Sequence, residues 1–122
     1  MDKEKITQYL QEYTDDAYKF AFIVTLSDAG AAAALNEAVK EMTKKGFWNG
    51  ENVKDELFTL IYKHGSNCTI PPMTAEEINA KYGKKSDDFY SFTALPVKER
   101  ARRHLMMYED MSEADAEAVT YR

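Results

Sequence analysis

Residues 6–26 read ITQYLQEYTDDAYKFAFIVTL, and their apolar side chains recur at steps of three and four. That spacing places them on one stripe of an α-helix. The stripe consists of Ile6, Leu10, Tyr13, Ala17, Phe20 and Val24. Elsewhere no segment alternates apolar and polar side chains for long enough to indicate a strand. The pattern therefore predicts an all-α fold.

Two further amphipathic helices follow. Ser27 and Asp28 are suited to end the first helix and to cap a second over about 29–45. Gly46 is a natural end for that second helix, and Gly65 is expected to end a third over about 51–64. The apolar faces of the two helices contain Ala31, Leu35, Ala38, Val39, Met42, Val53, Leu57, Leu60 and Ile61. Residues 1–66 are thus expected to form a three-helix bundle.

The second half of the chain predicts shorter helices behind a linker. Residues 67–73 contain the adjacent prolines Pro71 and Pro72, which favour a linker. Thr74 begins a capping-box sequence, Pro96 precedes a helix over 97–108, and Ser112 can cap a last helix from 113 to about 121. Residues 84–94 are polar with interleaved aromatic residues and receive no assignment. The expected architecture is two small helical bundles, 1–66 and 74–122, joined by this linker.

Composition restricts the classes of function. The 122 residues carry a net charge of −5 and a single cysteine, Cys68, which fits a reducing cytoplasm. The apolar run 20–26 is far shorter than the roughly 20 residues of a membrane span, so no membrane partner is expected. Phosphate neutralisation needs clustered Lys and Arg, so any nucleic-acid contact must be local.

Catalytic and metal-binding patterns are weak. His64 and His104 lack the spacing of paired metal ligands, and Cys68 has no CxxC companion. Gly65 is expected to interrupt the helix that would align His64 with Cys68. Neighbouring carboxylates diverge by about 100° on a helix, and no phosphate-binding glycine loop occurs. We therefore expect no enzyme activity, no metal and no cofactor.

Two groups of residues are candidates for binding. The denser one is a basic cluster on the helix over 97–108: Lys98, Arg100, Arg102, Arg103 and His104. It has enough charge to meet phosphates or an acidic partner, or else it is a solvated face paired with the acidic run 109–117. Phe47 and Trp48 form the second candidate, as partner-binding anchors or as core residues between two helices.

The sequence from Ala94 onward, ALPVKERARRHLMMYEDMSEADAEAV, resembles the start of the C-terminal promoter-binding domain of bacterial sigma factors. The positions in register are Leu95, Pro96, Arg100, Leu105, Glu109, Met111 and Ser112. The N-terminal half is similar to the helical core domain of small sigma factors of the extracytoplasmic-function type. Residues 13–26 are similar to its first helix, residues 33–39 to its D-L-V-Q-E segment, and residues 57–63 to its W-L-Y-x-I-A-x-N helix.

The resemblance implies a sigma-like transcription protein that binds RNA polymerase, a regulatory protein or DNA through the basic helix, without catalysis. Ala34 and Ala38 stand where the family places polar residues that grip polymerase. A helix-turn-helix reads bases with its second helix, and residues 74–122 match only an incomplete motif, so DNA contact should be weak and non-specific. The alternative is an all-helical protein–protein adaptor with no DNA-binding role.

Overall fold

The computed structural model of the chain describes residues 3–45, 53–84 and 86–121. This part of the chain contains seven α-helices and no strand, which confirms the all-α prediction. The helices are α1 (Lys3–Thr25), α2 (Asp28–Lys45), α3 (Val53–Ser66), α4 (Ala75–Tyr82), α5 (Asp87–Thr93), α6 (Val97–Tyr108) and α7 (Glu113–Val119). Within the described residues, no helix combines the length and apolar character that crossing a bilayer requires.

The predicted apolar stripes meet in the core between α1, α2 and α3. Ala17, Phe20 and Val24 of α1 are buried, and the Phe20 ring lies 5.2 Å from that of Phe58 on α3. Helix α2 buries mostly small side chains, which allows its backbone to approach the other two closely. The small buried residues are Ala31, Ala34 and Ala38, and Met42 is buried near the C-terminal end of the helix. Ile6 and Leu10 lie outside the side chains that the structure describes, as do Gly46 and Glu51.

The turn between α1 and α2 has the predicted cap. The Ser27 hydroxyl accepts a hydrogen bond from the Gly30 amide at 3.1 Å, which satisfies a donor at the start of α2. Leu26 adopts a positive φ of 53°, a conformation that is costly for a residue with a branched side chain. Its carbonyl accepts from the Met73 amide at 2.6 Å, so the proline-containing linker is hydrogen-bonded to this turn.

Gly65 does not end α3, contrary to the sequence prediction. The helix continues to Ser66, and Gly65 is buried within it. A Cβ atom at this position would lie 2.7 Å from Cγ1 of Val24, well inside van der Waals contact. The glycine is therefore required by the close approach of α3 to α1 rather than by a helix end.

The division into two bundles is not confirmed, because the later helices share the core of the first three. Ala101 and Leu105 of α6 and Ala116 and Val119 of α7 belong to the same buried cluster as Phe20. Helix α6 packs on α1, and α7 packs on α3 and α6. The short helices could not form a core alone, since α4 buries only Ile78 and α5 buries no residue.

Candidate functional site

Helix α6 carries all five members of the predicted basic cluster and divides them between two faces. Arg100 and His104, one turn apart, point into the protein and are 7% and 6% exposed. Arg103 is exposed, whereas Lys98 and Arg102 are half-buried on the outer face. The division follows from helix geometry, because positions i and i+4 share a face and positions between them do not. Only three of the five residues therefore remain for a binding surface.

Arg100 joins the ends of two helices. Its Nε donates to the carbonyl of Ile23 at 2.6 Å and one terminal nitrogen donates to that of Val24 at 3.0 Å. These carbonyls lie in the last turn of α1, where the helix supplies no partner. The other terminal nitrogen donates to the carbonyl of Thr93, the last residue of α5, at 3.4 Å, and to that of Leu95, just beyond it, at 2.7 Å. Burial lowers the pKa of Arg100, and the residue acts as an internal clamp.

His104 is held between aromatic rings. Its imidazole stacks on Phe20 at 5.8 Å and lies 5.1 Å from the ring of Tyr108. Burial lowers the pKa of His104 to about 4; Asp16 opposes this shift and Lys19 adds to it. The side chain is therefore neutral at pH 7 and contributes no charge to a binding surface.

The three remaining cations line an open groove of about 450 Å³ between α6 and α7, here called the α6–α7 groove. Three carboxylates line it too. The charged set is Lys98, Arg102, Arg103, Glu99, Glu113 and Glu117. Arg102 Nε donates to the Thr120 hydroxyl at 2.8 Å, and Arg103 pairs with Glu99 one turn earlier at 2.9 Å. The surface therefore alternates in sign instead of being uniformly basic.

The acidic run 109–117 is used in two ways. Glu109 forms an ion pair with Lys54 of α3 at 2.7 Å, and its side chain is only 5% exposed. Burial disfavours the charged form of Lys54, but the Glu109 carboxylate outweighs this effect and raises the pKa of the lysine. Glu113 and Glu117 instead face the α6–α7 groove. The structure therefore brings these two α7 glutamates to the same groove as the basic residues of α6.

Sequence reasoning missed two polar clusters, because their members are distant in the chain. Asp28 accepts hydrogen bonds from Tyr18 at 2.8 Å, from Lys81 at 2.5 Å and from Tyr82 at 2.5 Å. Glu41 pairs with Lys63 at 2.8 Å and with His64 at 2.7 Å. No spacing in the sequence predicts these contacts, which join residues 10 to 54 positions apart. Among the described residues, no group of three or more His, Cys, Asp or Glu could hold a metal ion.

A second groove, the α5–α6 groove, also escaped prediction. It has a volume of about 630 Å³, and its apolar lining is Phe89, Phe92, Leu95, Met107 and Tyr108. Met107 and Tyr108 are 67% and 69% exposed. The sequence feature that could have indicated this groove is the set of aromatic residues within 84–94. Their periodicity alone did not assign this segment to a helix.

The second sequence-based candidate, Phe47 and Trp48, lies outside the described residues.

Comparison of the chain with protein-family models, with curated proteins and with solved structures finds no match. The two grooves beside α6 are accordingly the surfaces from which a function can be argued.

Proposed function

We propose that this chain is a non-catalytic cytoplasmic recognition protein of sigma-like helix order, and that it binds a protein of the transcription machinery through the α6–α7 groove. The partner would be RNA polymerase or a regulatory protein. The observation that carries the proposal is the mixed charge of this groove, in which three cations and three carboxylates share one open surface.

The charge pattern favours a protein partner over DNA. A phosphate backbone is bound by clustered Lys and Arg, but Arg100 and His104 are buried in the interior. The three outward cations face Glu99, Glu113 and Glu117, and the whole chain has a net charge of −5. A protein surface with both signs can match such an alternating groove and be held in one register by it. DNA contact would be weak and dependent on low salt.

The sigma resemblance supports the proposed order of the helices. It gives less support to a binding role for the residues that match the family. Helix α6 begins directly after Pro96, and Ser112 caps α7, as their capping residues predict; both residues are also positions in register with the family. The charged residues that match the family, Arg100 and Glu109, are both buried and bonded to other helices. Their role here is to hold α6 on α1 and α3, which supports a shared helical arrangement.

The burial of two positions on α2 favours the alternative, a helical adaptor with no link to polymerase or DNA. Ala34 and Ala38 stand where the sigma family has polymerase-gripping residues, and they are 2% and 0% exposed. These two positions offer no surface to any partner. A polymerase contact would therefore not use these two positions.

Binding of the full chain to immobilised bacterial core RNA polymerase tests the proposal. We expect K98A/R102A to weaken binding at least tenfold, while the matched double variant K40A/K44A, which removes exposed cations from α2, changes it less than twofold. A 25-base-pair duplex measured by fluorescence anisotropy forms the second arm. If the duplex binds tightly and in a salt-dependent way, and K98A/R102A loses this binding, the partner is DNA and not a protein. Binding to neither would leave the adaptor.

A further inference from the structure

Helix α5 carries three half-buried aromatic side chains that are partly exposed to solvent. Its seven residues include Phe89, Tyr90 and Phe92, yet none is buried. A helix this short is not stable alone and needs tertiary anchors. The anchors are polar: Tyr90 hydrogen-bonds Asn79 of α4, and Arg100 donates to the carbonyls of Thr93 and Leu95.

The last turn of α6 completes the surface. Met107 and Tyr108 leave two thirds or more of their area exposed, and with Phe89, Phe92 and Leu95 they line the α5–α6 groove. Contiguous exposed apolar surface with a polar rim marks interaction sites in soluble proteins. Methionine adds a flexible, polarisable side chain of the kind that adapts to varied partners. The groove is thus lined by three half-buried and two exposed apolar side chains, and it is built on anchored elements.

The rim of the groove is polarised. Arg103 lies on the α6 side, and Asp88 lies on the α5 side together with Ser86 and Ser91. Arg103 is paired with Glu99, but both side chains are about half exposed, and an exposed pair of this kind contributes little. Its guanidinium can therefore exchange Glu99 for a carboxylate from a partner.

We propose that the α5–α6 groove docks an amphipathic α-helix of a partner protein. The apolar stripe of that helix would enter the groove, and a flanking carboxylate would pair with Arg103. Two facing helices accept a third helix through residues spaced i, i+3, i+4 and i+7. Because α5 is already held by Arg100 and Tyr90, little ordering is needed on this side of the interface. The α6–α7 groove lies on another side of α6 and shares Arg103 with this groove, whereas Met107 lines the α5–α6 groove and Met106 lines the α6–α7 groove.

The test is selection of 16-residue peptides from a random display library on the full chain. We expect the selected peptides to be amphipathic helices with an acidic flank. The variant Met107→Glu should weaken their binding at least tenfold. Met106→Glu is the matched control, since Met106 is exposed on the same turn but lines the other groove, and it should change affinity less than twofold.

Charge reversal tests the orientation. Arg103→Glu should weaken acidic peptides at least tenfold and favour the same peptides with lysine in the flank. The proposal is overturned if no peptide is enriched, if Met107→Glu binds as the parent does, or if the enriched sequences are proline-rich and extended. Concentration-dependent dimerisation that Met107→Glu abolishes would also overturn it, because the occupant would then be a second copy of the chain.

Discussion

Gly65 occupies the point of closest approach between α3 and α1, and its lack of a side chain is a packing requirement. Gly→Ala in the interior of a helix normally stabilises by about 1 kcal/mol. Here the added methyl would meet Val24, which is 4% exposed and cannot move into solvent. We expect Gly65→Ala to lower the free energy of unfolding by about 1–3 kcal/mol, measured by urea denaturation.

The control for this prediction is the double variant G65A/V24A. Truncating Val24 removes the atom that the new methyl would strike, so the double variant should lose less stability than the two single changes added together. A stabilising Gly65→Ala would show that the two helices are farther apart than described.

Arg100 stabilises the fold through hydrogen bonds that no other described residue replaces. Replacing it with Met keeps much of the apolar stem and leaves the carbonyls of Ile23, Val24 and Leu95 without their donor. Buried acceptors without partners are costly, so we expect a loss on the order of 3 kcal/mol in urea unfolding. Arg103→Met, at a half-exposed position, should cost under about 1 kcal/mol. A loss for Arg100→Met as small as that for Arg103→Met would contradict the role given to Arg100.

His104 should make stability depend on pH. In the unfolded chain its pKa is near 6.5, whereas burial lowers it to about 4 in the folded chain. Between these values only the unfolded state binds the proton, so stability is complete above about pH 7 and falls as the pH drops towards 4. The loss should be on the order of 3 kcal/mol. His104→Leu should flatten the unfolding free energy between pH 7 and pH 5; an unchanged slope would contradict the assignment.

Among the helices, those with a long apolar stripe or a clear capping sequence were predictable, including α4 with its Thr74–Glu77 capping box, and α5 was not. The sequence predicts α1, α2 and α6 to within a few residues, because each buries one face and has identifiable caps. Helix α5 has no buried residue and depends on Arg100 and Tyr90, which periodicity cannot detect. The predicted end of α3 was wrong for a related reason, because the role of Gly65 depends on its close approach to Val24 in another helix.

Asp28 hydrogen-bonds the last turn of α4 to the start of α2. The carboxylate accepts from Lys81 and Tyr82 of α4, and it remains ionised at neutral pH because these partners outweigh the effect of burial and lower its pKa. We expect Asp28→Asn to increase hydrogen exchange in α4, at the amides of Ile78 and Gly83, with little change at α3. Asp87→Asn, at the exposed start of α5, is the control. Uniform loss of protection across the chain would show that Asp28 stabilises the whole fold instead.

At the scale of the whole molecule, the single core explains why the candidate site was only half predictable. The sequence located the charged residues of α6 correctly, but it placed α6 in a separate domain with one face free. Helix α6 packs on α1, and α7 packs on both α3 and α6. Arg100 and His104 are therefore buried and cannot contact a partner. Contacts between segments distant in the chain determine which arginines are exposed. The pattern of residues along the sequence does not show these contacts.

The balance of charge around α6 leads to a last prediction, on the binding of polyanions by the whole chain. Glu113 and Glu117 share the α6–α7 groove with Lys98, Arg102 and Arg103, and their carboxylates offset the positive potential there. Replacing both glutamates with glutamine leaves three cations facing Glu99 alone, and it changes the net charge from −5 to −3. We expect E113Q/E117Q to bind a DNA duplex several-fold more tightly than the parent at 20 mM salt, with a steeper loss of affinity as salt increases. The matched control is E76Q/E77Q, which changes the net charge equally but lies on exposed α4. If the control gains as much affinity as the groove variant, the effect reflects the overall charge, and the arginines of α6 form no local site for an anionic partner.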